Sequence, residues 1–117
     1  MSAIPTTSMS YEHKYHAKKT VVDGITFDSK KEAKRYTELC LMQKAGAIHG
    51  LQVQVPFPLI KKSKYGREIR YYADFVYYEG EAMVVEDVKS PITRKNPVYA
   101  LKKRLMAELY GIVLRET

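Results

Sequence analysis

Residues 68–89 read EIRYYADFVYYEGEAMVVEDVK, two runs rich in Tyr, Val and Phe joined around Gly80. β-Branched and aromatic side chains suit a pleated, half-buried surface, and a glycine between two such runs supplies a turn. The stretch therefore predicts a central antiparallel hairpin of Glu68–Tyr78 and Ala82–Lys89. With a Gly80-Glu81 turn, Asp74 lies directly opposite Asp87; with a Glu79-Gly80 turn, the two are diagonal neighbours. In both registers the carboxylates face the same way, and Lys89 shares the face of Asp87 because side chains alternate along a strand. Two carboxylates facing each other repel, so the pair needs a compensating cation, of which Lys89 supplies part. Glu86 faces the other side, which makes Asp87 the preferred partner of Asp74.

On the N-terminal side of this hairpin, Asp23-Gly24 sits between β-branched pairs, a strong signal for a small hairpin over Val21–Phe27. Ser29 and Glu32 have capping-box spacing, and helix formers continue to Ala45 before Gly46 ends the run. Gln52–Ile60 alternates Val53, Val55, Phe57 and Leu59 with other residues, but Pro56 and Pro58 remove backbone donors, which predicts an edge strand. Lys61–Arg67 reads as a basic loop. Beyond the hairpin, Pro91 and Pro97 bracket a loop, Val98–Tyr110 has helical spacing, Gly111 stops it, and Ile112–Leu114 reads as a short last strand. Helix, three strands, helix, strand is the order of an α/β sandwich around one mixed sheet. Residues 1–20 form a flexible basic arm and residues 21–117 a single domain on this reading.

Two charged side chains project onto inward helix faces. Glu32 shares a stripe with Tyr36, Leu39, Cys40 and Gln43; it is either a third carboxylate directed at the sheet or only the capping-box partner of Ser29. In the second helix Val98, Leu101, Leu105 and Leu109 form the apolar stripe, with Lys102 inside it; Lys102 either meets an anion or snorkels to water. Three carboxylates and one or two lysines on one sheet face are a costly way to build a core and a sensible way to build a metal site. Hard oxygen donors suit Mg²⁺ or Mn²⁺, which keep positions for water and phosphate oxygens.

Charge identifies the substrate class. The 117 residues carry 20 Lys plus Arg against 13 Asp plus Glu, a formal charge of +7, which favours a polyanion as partner. With 45% apolar residues the chain is too hydrophobic for a disordered basic tail. Lys14, Lys18 and Lys19 in the arm, Lys30 and Lys31 at the helix start, Lys61, Lys62, Lys64 and Arg67 in the loop, and Arg94 and Lys95 are the expected contacts to the phosphates of such a polyanion. His13 and His16 read as part of the arm. Tyr65, Tyr71, Tyr72, Tyr77, Tyr78 and Tyr99 either pack or stack on unpaired bases. A single Cys40, no membrane-length apolar run and no signal core lead to the expectation of a cytoplasmic protein with no membrane partner.

Glu32 on a helix, Asp74 on a strand and Asp87-Val88-Lys89 on its partner resemble the signature of the PD-(D/E)XK nuclease superfamily. The run from Lys18-Lys19 through Asp23-Gly24-Ile25-Thr26-Phe27-Asp28-Ser29-Lys30-Lys31-Glu32-Ala33, with Tyr72–Tyr77 and Val85–Lys89, resembles small phage-encoded members related to Holliday-junction resolvases. Ala73 stands where the superfamily name has Pro. The resemblance implies a restriction-endonuclease-like αβββαβ core and metal-dependent DNA cleavage in phage replication or recombination. Asp74 and Asp87 would be metal ligands with Val88 beside them, Glu32 a further ligand or water-holder, Lys89 the catalytic lysine, and Lys102 the helix lysine. Cutting both strands of a junction needs two centres, so a homodimer is expected. The contrasting expectation is a non-catalytic nucleic-acid-binding module with a structural acidic cluster.

Overall fold

Asp23 and Gly24 adopt φ of 52° and 76°, the two left-handed conformations a type I′ turn requires. They close a hairpin between β1 (Thr20–Val22) and β2 (Ile25–Phe27). The computed structural model describes residues 18–117; Lys14, His13 and His16 lie outside the described residues. The chain divides between Thr37 and Glu38 into two compact units.

The first unit holds the β1–β2 hairpin and the opening turns of α1 (Lys30–Lys44). Ser29 Oγ accepts the Glu32 N–H at 3.1 Å, so the expected cap is formed. Tyr36 ties helix to hairpin: its hydroxyl donates to Asp23 Oδ2 at 3.0 Å and its ring lies 5.1 Å from that of Phe27.

The second unit begins with the rest of α1. The helix ends at Gly46 (φ 83°) with Gly46 N–H donating to Gln43 O and Ala47 N–H to Met42 O, a Schellman closure. Then follow β3 (His49–Ile60), β4 (Ile69–Glu79), β5 (Ala82–Asp87), α2 (Pro91–Arg94), α3 (Pro97–Tyr110) and β6 (Arg115–Glu116). The sheet order is β3-β4-β5-β6, antiparallel through β5 and parallel between β5 and β6. A parallel return needs a crossover, and α3 supplies it. The fold is thus mixed α/β, and the proline-bearing β3 is an edge strand as expected. Tyr99 and Met106 of α3 pack with Leu59, Tyr71, Ala73, Val76, Val85 and Leu114 in one buried cluster. No helix among the described residues is long and apolar enough to cross a membrane.

Three local expectations are corrected. The last strand is Arg115–Glu116, not Ile112–Leu114. Leu114 plugs the core and Val113 is exposed, while Arg115 is drawn into the sheet edge by a bidentate pair with Glu79 at 2.9 and 3.1 Å. The loop between the prolines contains a one-turn helix capped by Ser90, whose Oγ accepts the Thr93 N–H. On α3 the buried positions are Tyr99 and Met106; Val98, Leu101 and Leu109 are exposed. Of the expected aliphatic stripe Leu105 packs against the core cluster, while Tyr99 takes a buried place and finds a partner for its hydroxyl.

Candidate active site at the ends of β4 and β5

Phe75 pairs with Glu86 and Glu79 with Ala82, so the turn is Gly80-Glu81 and the next facing positions are Asp74 and Asp87. Both carboxylates are fixed by named donors. Asp74 Oδ2 accepts the backbone N–H of Val88 at 2.8 Å. Asp87, only 1% exposed, accepts the Tyr71 hydroxyl on Oδ2 at 2.7 Å. Lys89 Nζ lies 3.1 Å from Asp87 Oδ2 and 3.2 Å from Oδ1. Burial, then the adjacent Asp87 carboxylate, pushes the Tyr71 phenol far above its ordinary range, so it remains a neutral donor.

The backbone is irregular at this position. Gln54 faces Asp74 across the β3–β4 ladder and adopts φ 52°, a left-handed conformation that costs a non-glycine residue about 1–2 kcal/mol. Ala73 and Val76, three apart, join the same core cluster, which strict alternation forbids. Tyr71 reaches Asp87, although regular alternation puts the two on opposite faces.

A second set of groups positions Lys89. Its ammonium lies 4.8 Å from the centroid of the Tyr99 ring, a cation–π distance. The Tyr99 hydroxyl donates to Glu116 Oε2, and Lys103 Nζ lies 3.2 Å from the same oxygen. Burial, then this hydrogen bond, raises the Tyr99 phenol. The Tyr99 hydrogen bond first, and Lys103 with it, holds Glu116 below the usual carboxylate range. A depressed folded-state value means the stabilisation is complete above the unfolded carboxylate pKa of about 4.3 and is lost as pH falls through the lower folded value. The melting temperature, followed by circular dichroism, is expected to drop below about pH 4.3, and to drop less in Glu116→Gln. Identical acid profiles for the two proteins would contradict the network.

The opposite face of β5 is committed to structure. Glu86 is fully buried and accepts the hydroxyls of Tyr77 and of Thr117, the latter at 3.2 Å. Lys89 pairs with Asp87, on the other face.

The structure brings Asp74, Asp87, Val88 and Lys89 together at one end of the hairpin. Glu32 belongs to the first unit, where it is buried in the first turn of α1. Lys102 is half-buried, and it is Lys103 that pairs with Glu116. Lys103 follows Tyr99 by four residues and precedes Met106 by three, which puts it on the inward face those two define. Lys18, Lys19, Lys30, Lys31, Lys61, Lys62, Lys64, Arg67, Arg94 and Lys95 are all exposed. Tyr71, Tyr99 and Glu116 were not assigned to the site from sequence. The strand irregularity hid Tyr71, and the aliphatic stripe outweighed Tyr99.

Among the described residues, no group of three or more His, Cys, Asp or Glu could hold a metal ion. The carboxylate set at the site is the pair Asp74 and Asp87. Mg²⁺ takes one or two carboxylates and fills its other positions with water and substrate phosphate, so this pair is the donor set that would hold such an ion.

Residues 12–115 match the model of a family described as a protein of unknown function (DUF1064). No curated protein and no solved structure matches the chain.

Proposed function

The chain belongs to this family, and we propose that it is a metal-dependent DNA endonuclease that hydrolyses phosphodiester bonds, selective for branched substrates such as four-way junctions. The observation that carries the reading is the convergence of Asp74, Asp87 and Lys89 where β4 and β5 part. The order α1, β3-β4-β5, α3, β6 supports a restriction-endonuclease-like core of the PD-(D/E)XK kind.

Asp74 and Asp87 would hold Mg²⁺ or Mn²⁺. Bound there, the ion supplies Lewis-acid polarisation of the phosphoryl group and a more acidic water. The chain's own groups do the rest. Tyr71 donates to Asp87 and orients its carboxylate, while the Val88 N–H does the same for Asp74. Lys89, held between Asp87 and the Tyr99 ring, keeps a positive charge where negative charge develops on the attacked phosphate. Two carboxylates suffice for this scheme, so it requires no ligand from Glu32. The exposed lysines and arginines hold the DNA backbone without reading sequence. A two-fold homodimer brings two centres to a junction.

One observation favours a second reading, a non-catalytic nucleic-acid-binding module. Both oxygens of Asp87 already have partners in Tyr71 and Lys89, as in a closed structural network. Labelled four-way junction, flap, linear duplex and single strand, each incubated with Mg²⁺, separate the two. The nuclease reading predicts cutting of the junction or flap in preference to duplex. Binding of all four with cutting of none supports the module.

A further inference from the structure

Residues 61–68 join β3 to β4, and every one of them is exposed. The bend is nevertheless fixed. Ser63 N–H donates to Gly66 O at 3.0 Å, Gly66 N–H to Ser63 O at 3.2 Å, and Tyr65 N–H to Ser63 Oγ at 3.1 Å. The tip carries Lys61, Lys62, Lys64 and Arg67 against one carboxylate, Glu68, which already pairs with Arg70 at 2.7 Å. Its cations are therefore largely uncompensated.

At the apex Tyr65 is 87% exposed and adds nothing to the core. Lys64 Nζ lies 5.2 Å from its ring centroid. From the apex towards the site Arg67 and Arg70 lead to Tyr72, which is 57% exposed. Rings set among cations on an exposed surface are the pattern of single-strand recognition, where bases stack and phosphates are held. Tyr71 and Tyr77 are buried and Tyr78 is half-buried with its ring stacked on that of His49, so Tyr65 and Tyr72 are the exposed tyrosines along β4 and its loop.

We infer that the β3–β4 tip is a binding site for unpaired nucleotides, in which Tyr65 stacks on an exposed base and Lys61, Lys62, Lys64 and Arg67 hold the flanking phosphates. A strand rises about 3.4 Å per residue, so Ile69 to Asp74 covers about 17 Å. A nucleic-acid strand advances about 3.4 Å per nucleotide, which puts the β4 end of the tip, at Ile69, about five nucleotides from a phosphate at Asp74. The inference rests on the nucleic-acid part of the proposed function and deepens it, because flaps and bulges carry unpaired bases that linear duplex lacks.

The test is fluorescence anisotropy in EDTA with fluorescein-labelled matched duplex and with the same duplex carrying an unpaired bulge. Tyr65→Ala is expected to weaken binding to the bulged DNA about tenfold and to leave duplex binding unchanged, while Tyr65→Phe binds both like the wild type. Lys62→Ala is expected to weaken both and to reduce the salt dependence by about one ion. A Tyr65→Ala protein that keeps its bulge preference, or that loses affinity for both DNAs equally, overturns the inference. With metal absent, cleavage plays no part. A protein that cuts junctions yet is indifferent to Tyr65 keeps the nuclease and loses the tip site; a protein that never cuts but needs Tyr65 for bulges does the reverse.

Discussion

Asp87→Asn is expected to lower Mg²⁺-dependent cleavage by at least about 10³-fold, or about 4 kcal/mol of barrier, while DNA affinity in EDTA stays within about twofold. The side chain keeps its shape and can still accept the Tyr71 hydroxyl, so the change removes charge more than packing. What it loses is one of the two carboxylates proposed to hold the ion, and the partner of Lys89. The proposed phosphate contacts come from exposed cations elsewhere, so binding is expected to survive. A thermal melt run alongside separates loss of chemistry from loss of fold. A folded Asp87→Asn protein that cuts at the wild-type rate removes Asp87 from the mechanism.

Met106→Ala is expected to cost about 2–5 kcal/mol, whereas Leu101→Ala costs less than about 0.5 kcal/mol. Met106 is fully buried in the cluster beneath α3, and truncation leaves a cavity among Val76, Val85 and Leu114. Leu101 is 58% exposed. For a domain of this size the first change lowers the melting temperature by roughly 8–20 °C and the second leaves it within about 2 °C. Equal losses at the two positions would restore the helix orientation read from the aliphatic stripe.

That contrast shows where the sequence was legible. Where local chemistry decides, the reading was sound: Asp23-Gly24 made its turn, Ser29 its cap, Gly46 and Gly111 their helix ends. The Asp74–Asp87 alignment was legible as well, since turn length sets hairpin register and only two turns were in play. The face of α3 was not, because helical projection weighs hydrophobicity and cannot see that a tyrosine with a carboxylate partner outranks leucines for the buried place. Tyr71 escaped for a related reason. Alternation assumes a regular strand, and Gln54 breaks regularity opposite Asp74. The final strand was misplaced because Arg115 and Glu116 look like surface residues until Tyr77, Glu79 and Tyr99 supply their partners.

The central claim is that the Asp74, Asp87 and Lys89 constellation hydrolyses phosphodiester bonds with a divalent ion. Its most direct test is the cleavage of an end-labelled four-way junction by the wild-type protein in Mg²⁺, in Mn²⁺ and in EDTA, with Lys89→Ala as the matched control. The account predicts cutting by the wild type in either metal, none in EDTA, and none by Lys89→Ala. Junction bound but uncut in both metals, or cut equally well by Lys89→Ala, would contradict it.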